Sequence, residues 1–305
     1  MKKIILLILI INLFSIKEGK TETINLNDKI KKKQKNNYNN SIKNNTFAIE
    51  LIFNKLPKIN IKNLENNISK IEPLKSKFKV TNKVDSNDNV GFLYEIEFDN
   101  HKIKLVGLNA PVPKEVMDKT IDTSFWKPEQ KEIARNHKSQ VICYYEGNSK
   151  NIMEKYISLY KIALALNSDD FIGILDEKSW NYTNKIILKD LLEPKMLKSM
   201  RKDIPLVFFT NLIKIPTDDG VWFVSKGNNT FGIKEFAYFG KSLVETEKVT
   251  KLFESIFYYM YRNNIKINVG ETMEMNQIYY RFAKVTEYTE YLESNLGTLV
   301  LIPEK

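Results

Sequence analysis

The sequence predicts an α+β fold for residues 47–303, with antiparallel or mixed sheets and helices packed on one side. Three observations support this. Short runs in which Tyr, Ile, Val and Phe alternate with polar residues recur between turn signals, as strands of half-buried sheets do. Helix-period and strand-period segments follow one another as helix, strand, helix, strand from Trp126 onward, which places a layer of helices on a sheet. Hydrophobic residues make up 43% of the chain and charged residues 28%, enough apolar material for a sizeable core. The same grammar repeats in the C-terminal half, so two similar α/β halves divided near 185–205 are an alternative to one domain.

The elements follow in order. Phe47 to Phe53 reads as a strand and Asn60 to Ile71 as an amphipathic helix. Phe78 to Thr81, Gly91 to Phe98 and Lys102 to Leu108 read as strands, with Asp99-Asn100 as a two-residue hairpin turn. Asp85 to Gly91 is superficially like a calcium loop. It carries Val90 where glycine is needed and Ile96 where a bidentate glutamate is needed, so it reads as a turn. A helix starts at Trp126-Lys127-Pro128, because proline suits a first helical position, and an apolar strand follows around Val141 to Tyr145. Asn151 and Glu154 can cap a helix running to Leu166 that is apolar on nearly every side and therefore deeply buried. A short strand follows at Phe171 to Leu175.

Beyond that point, Ile186 to Met200 reads as one helix. Pro205 to Lys214 and Val221 to Ser225 read as strands joined through the turn Pro216 to Gly220. Glu245 to Asn263 carries the clearest helical period, with Val249, Leu252, Phe253, Ile256, Phe257 and Met260 on one stripe. Strands at Gln277 to Val285 and Gly297 to Ile302 close the chain.

Ahead of this region, residues 1–16 form a signal peptide or a short membrane anchor. Met1-Lys2-Lys3 is a positive start, and the apolar run Ile4 to Ile16 has thirteen residues. A helix of that length rises about 20 Å, less than the roughly 30 Å hydrocarbon core of a bilayer. No Ala-x-Ala pattern follows it, so cleavage and anchoring both stay open. Residues 17–46 read as a disordered, basic Lys/Asn-rich linker, too polar to bury a core. These features point to an exported or membrane-anchored protein of the periplasm, cell envelope or exterior, with membrane contact through residues 1–45.

The net charge of +10 resembles that of a nucleic-acid binder, but its distribution excludes that reading. Residues 1–46 hold ten Lys against three acidic residues, which is +7 of the total. The globular part is left near neutral and without a field for gathering phosphates.

Few residues suggest chemistry. His137 can act as a general base and is the candidate catalytic residue, with Cys143 six positions later. A helix end and a strand middle keep those two side chains apart, however, and Cys143 reads as a small buried apolar residue. His101, at a hairpin turn, reads as exposed. Asp169-Asp170 and Asp218-Asp219 fall where turns are expected. No Gly-x-Ser-x-Gly elbow, phosphate-binding glycine loop, His-Glu-x-x-His or Cys-x-x-Cys is present, so no cofactor and no metal is expected. Trp126, Tyr258, Tyr259, Tyr261 and Arg281 are the candidate binding residues, since exposed aromatics with arginine suit a protein partner. A non-enzymatic binding protein is the preferred reading. An exported hydrolase working through two carboxylates is the alternative, because such a pair is close in space rather than in sequence.

Several local patterns resemble a bacterial family, the domain of unknown function 4261 family. They are Pro111-Val-Pro113 after a strand, Phe125-Trp126-Lys-Pro128 with Ala134-x-x-His137 before an apolar strand, Thr230 to Phe236 after an Asp-Asp-Gly hairpin, and Gly270-Glu-Thr272 leading to Arg281. Their order spans most of residues 47–303. The chain departs from the family in lacking a tryptophan within Gly173 to Asp176, the nearest being Trp180. The resemblance implies an α+β fold, no assigned activity, and a role in immunity to polymorphic toxins.

Overall fold

A computed structural model describes residues 47–85 and 90–304. The signal peptide or anchor expected over residues 1–16 and the linker expected over 17–46 lie outside the described residues. The central strand β1 (Phe47–Phe53) is Phe-Ala-Ile-Glu-Leu-Ile-Phe, and such a run stays dry only when sheet neighbours and packed layers enclose it on every side. It is followed by α1 (Ile61–Ile71), β2 (Lys79–Asp85), β3 (Val90–Phe98), β4 (His101–Leu108), α2 (Lys114–Asp122), α3 (Pro128–Arg135), β5 (Ser139–Tyr145), α4 (Ile152–Ala165), β6 (Phe171–Asp176) and β7 (Asn181–Asn184). These strands form a seven-stranded sheet in the order β2-β3-β4-β5-β1-β6-β7. Every pairing in it is antiparallel.

Next come α5 (Lys185–Leu191), α6 (Pro194–Met200), β8 (Asn211–Pro216), β9 (Val221–Lys226), β10 (Glu235–Gly240), α7 (Thr246–Asn263), β11 (Thr272–Met275), β12 (Ile278–Ala283), α8 (Thr289–Leu292) and β13 (Thr298–Glu304). The second sheet has six strands in the order β11-β12-β13-β10-β9-β8. Its β10–β13 pair is parallel, so the two halves are not copies of one topology. The α+β class holds.

Alternation along β1 assigns the layers. Phe47, Ile49, Leu51 and Phe53 face a core shared with Leu64 and Ile68 of α1 and Tyr156, Leu159 and Ala163 of α4. Ile52 faces the other way, onto Met117 and Ile121 of α2 and Ala134 of α3. The expected single layer of helices is therefore α1 and α4, and the α2–α3 pair adds a second layer over the β6–β7 end. The sequence reading left α2 unassigned because only Met117, Thr120 and Ile121 of its nine residues are buried.

Local expectations largely hold. The Asn151 side chain accepts hydrogen bonds from the Met153 and Glu154 N–H groups at the start of α4, which is buried nearly all round. Pro128 sits in the first turn of α3. Asp99 and Asn100 have φ of 49° and 67°, the left-handed pair that a two-residue hairpin requires. Two expectations are corrected. Pro194, which has no N–H to donate, opens a new helix instead of continuing the old one, so 186–200 divides into α5 and α6. The strand expected from Pro205 begins only at Asn211, because Leu206–Phe208 turns as a 3-10 segment. Sequence reading also left β7, β10 and β11 unassigned.

One apolar core runs through both sheets. Tyr156 of α4 packs on Phe209 at 4.4 Å and on Phe231 at 6.2 Å between ring centroids. Leu188 and Leu191 of α5 and Leu197 and Met200 of α6 enter that same core, across the span where a subdivision was considered.

A partly buried ion network pins three helices together. Arg201, just after α6, grips both oxygens of Glu72 at 2.9 Å and reaches Glu154 at 2.6 Å. Lys161 adds a contact to Glu72 at 2.5 Å. Foremost the Arg201 guanidinium, opposed by burial and aided by Lys161, holds the Glu72 carboxyl down to about 2. A carboxyl lowered on folding contributes stability that is present above its usual value of 4.5 and is lost as pH falls toward 2. Glu72→Gln should therefore cost about 2 kcal/mol in urea unfolding at neutral pH. The deficit should close as pH drops through that window, and a deficit that stays constant with pH would contradict this assignment.

Candidate binding site at the sheet junction

The junction between the sheets is polar, and it is built around Glu235 at the start of β10. Glu235 is buried. The Ser225 hydroxyl donates to its carboxylate at 2.7 Å, and the backbone N–H groups of Gly227, Asn228 and Asn229 donate at 3.0, 3.3 and 3.1 Å. Burial lifts its pKa to about 7, against the pull of Ser225 and of those N–H groups. Gly227 makes the loop possible. Its φ is 109°, and a Cβ there would lie 2.5 Å from the Phe209 carbonyl oxygen and 2.8 Å from Ser179 Cβ.

Side-chain amides complete the seam. Asn181 donates to the Val207 and Thr210 carbonyls at 3.2 and 3.4 Å. Asn211 donates to the Trp180 carbonyl at 2.7 Å and the Thr123 hydroxyl at 2.9 Å. Lys226 donates to the Tyr291 carbonyl at 2.6 Å and lies 5.1 Å over the Trp180 ring. Above this floor opens a cleft of about 270 Å³. β8 contributes Lys214 to it, α7 contributes Glu254, Phe253 and Phe257, and Phe125 stands at its rim. The floor amides are already hydrogen-bonded. What the cleft offers a ligand is an apolar rim, one cation and one anion.

The candidates from sequence scatter around this cleft. Tyr258 is half-buried; it donates to the Ile204 carbonyl at 2.5 Å, and the Arg262 guanidinium lies 4.7 Å over its ring. Tyr261 stacks on Phe257, a cleft residue, at 5.7 Å. At 100° per residue, Tyr258, Tyr261 and Glu254 share one flank of α7, whereas Tyr259 points away from it. Trp126 donates its indole N–H to the Tyr182 carbonyl at 2.6 Å and stacks on Phe125 at 4.7 Å, so it backs the rim from behind. Arg281 lies on β12, paired with Glu304 at 2.9 Å, and is not a cleft residue. Sequence reasoning missed Glu235 and Phe125. A lone acid inside Glu-Phe-Ala-Tyr-Phe, with Gly227 just upstream, was the available signal for Glu235.

His137 is fully buried between two backbone groups. Its Nε2 accepts the Val112 N–H at 2.8 Å, which leaves the proton on Nδ1 to donate to the Ala134 carbonyl at 2.8 Å. Neither ring nitrogen is left for a substrate. Burial pushes its pKa down. Cys143 is buried in β5, and burial pushes its thiol up, so it is held as an inert thiol. His101 is half-buried rather than exposed, with Nδ1 3.0 Å from the Tyr145 hydroxyl, because the hairpin turns it back onto β5. Among the described residues no group of three or more His, Cys, Asp or Glu is placed to hold a metal ion. No described helix is long and apolar enough to cross a membrane.

Besides Glu72 and Glu154, which Arg201 bridges, a second carboxylate pair comes together. Glu50 of β1 is buried, and burial first, then neighbouring Glu177, raises its pKa well above the usual carboxylate range. The four cavities at the sheet junction, beside α1, beside β12–β13 and beside the β3–β4 turn are lined by other residues.

His137→Ala strands a buried Val112 N–H and should cost about 2 kcal/mol in chemical denaturation. A histidine lowered on folding loses its contribution as pH falls below the ordinary value of 6.5, so the gap to wild type should narrow there. An unchanged midpoint at neutral pH would refute this latch. Comparisons with family models, with curated proteins and with solved structures find no match to this chain.

Proposed function

We propose that this protein is a non-enzymatic binding protein of the cell envelope or exterior, and that it engages a protein partner at the sheet junction. The observation that carries this reading is the rim of the cleft. Phe125 is 63% exposed and Val207 51%, and they line a cleft whose floor amides are already paired; Tyr261, 38% exposed, stacks on the cleft residue Phe257 from the adjoining turn of α7. Apolar anchors around a rigid recess are the usual centre of a protein interface. The export-like segment Ile4 to Ile16 supports the compartment. The resemblance of residues 47–303 to an uncharacterised bacterial family lends the reading an immunity-like form, in which one cognate protein is bound. The hydrolase alternative would draw on Glu50 with Glu177 or on Glu72 with Glu154, and the junction cleft is lined by none of them.

The test is a binding titration with the partner captured from the native cell. Phe125→Ala and Tyr261→Ala should each weaken binding by about 1.5–2 kcal/mol, roughly 10- to 30-fold, with little change in melting temperature. Tyr259→Ala and Arg281→Ala should leave affinity within about twofold. Equal losses at all four positions, or a partner-free monomer that hydrolyses a substrate, would refute the reading.

A further inference from the structure

The cleft at the sheet junction opens along a free sheet edge. β8 is the last strand of the second sheet and pairs on one side only, with β9. The register fixes which of its backbone groups point outward. The Thr217 N–H donates to the Gly220 carbonyl at 2.9 Å, so that pair closes the hairpin. Bonded and non-bonded pairs alternate along an antiparallel ladder. Asn211, Ile213 and Ile215 therefore bond β9, while Leu212 and Lys214 turn both N–H and C=O away from it. Pro216, which has no N–H, falls on the outward side, as prolines of edge strands do. Among the described residues, no backbone partner reaches these outward groups.

The other edges are built differently. β7 is buried and met by α2 and α5. β2 is exposed along nearly its whole length and carries Lys79 and Lys83, and β11 has only four residues. β8 instead borders the cleft, and Leu212 and Lys214 both line it. The side chains that enter the cleft and the outward backbone groups thus belong to the same two residues. The Asn211 amide donates to the Thr123 hydroxyl at 2.9 Å, which ties down the start of the strand, so the free edge runs from Leu212 to Pro216.

Donors and acceptors repeating every second residue, about 7 Å apart, are answered by another extended backbone. A strand laid on β8 sends alternate side chains into the cleft, one beside Lys214 and the next beside Leu212. Lys214 makes no ion pair among the described residues, whereas Arg135 is held by Asp122 and Glu132. Its charge reaches Lys131 as well: burial lowers the Lys131 pKa, opposed by Asp122 and reinforced by Arg135 and Lys214. This end of the cleft therefore favours an anion. Phe253 and Phe257 favour an apolar group at the other position, and Glu254 disfavours a second acid. We propose that the partner is held by strand addition. One extended segment of it pairs with β8, setting an Asp or Glu against Lys214 and, two residues along, an aliphatic or aromatic side chain against Leu212. This rests on the cleft being the binding site and specifies how the partner is recognised there. A second copy of this chain fits less well, because its own β8 would bring a lysine to the edge instead of an acid.

Amide hydrogen exchange, followed residue by residue in the full chain, tests this. In the dilute free protein the Leu212 and Lys214 N–H groups should exchange about tenfold faster than those of Ile213 and Ile215, or faster still. Saturation with the partner captured from the native cell should slow Leu212 and Lys214 by about tenfold or more and leave Ile213 and Ile215 unchanged. Lys214→Pro removes an outward donor and spares the β8–β9 ladder, so it should weaken binding about tenfold, against about threefold for Lys214→Ala. Among short peptides tiled through that partner, those that bind should carry an acid two residues from an apolar side chain. Unchanged exchange at Leu212 and Lys214, in a complex that Phe125→Ala still weakens, would overturn strand addition and leave the cleft as the site. A complex indifferent to Phe125→Ala would remove both. Slow exchange of these amides in the free chain that deepens with protein concentration would make a second copy the occupant and overturn the proposal.

Discussion

Glu235 is a carboxyl group taken wholly out of water, and its four donors come from Ser225 and the three residues at 227–229. Satisfying it requires the chain after β9 to turn through a left-handed glycine and coil once before β10 begins. That turn places Gly227 against Phe209 and Ser179, which belong to the connection between the sheets and to the β6–β7 hairpin. The position of one sheet relative to the other therefore follows from how one acid is solvated.

The apolar core and the polar junction have different roles. A fully buried Leu, Ile or Phe contributes about 1.5–3 kcal/mol, and the shared core holds several dozen such residues, so it supplies the bulk of the stability. A hydrogen bond contributes about 1 kcal/mol net, but leaving a buried donor or acceptor unmade costs more. The seam amides of Asn181 and Asn211 and the Glu235 loop thus add little to the total while excluding other arrangements. The cleft inherits that rigidity: its floor is fixed, and its exposed rim is Phe125 and Val207.

Local pattern made part of this legible in the sequence. β1, α4 and α7 carry their burial in their own periodicity, and the Asp99-Asn100 turn needs only its own two residues. Elements whose existence depends on distant partners were not legible. β10 is held by a parallel pairing to β13, more than 60 positions away, and β7 is a four-residue strand, Asn-Tyr-Thr-Asn, with no apolar alternation. The α5–α6 break was readable at Pro194 and was passed over in favour of the helical period around it. For the site, the candidate tyrosines fall on α7, which lines the cleft through Phe253, Glu254 and Phe257, and only packing separates Tyr258 and Tyr261, on the flank of Glu254, from Tyr259. The lone acids Glu50 and Glu235 in apolar strands were the clearest unused signals.

The central claim is that the Glu235 loop couples the two sheets, and the tryptophans provide separate reporters. Trp126 belongs to the α2–α3 side of the first sheet and Trp222 to β9 of the second. Urea unfolding of Glu235→Ala should be followed in two proteins, one keeping Trp126 and the other keeping Trp222 as sole tryptophan. The account predicts that both reporters shift to lower midpoint together and by the same amount. A shift at Trp222 with Trp126 unmoved would contradict it, because the sheets would then be stabilised independently.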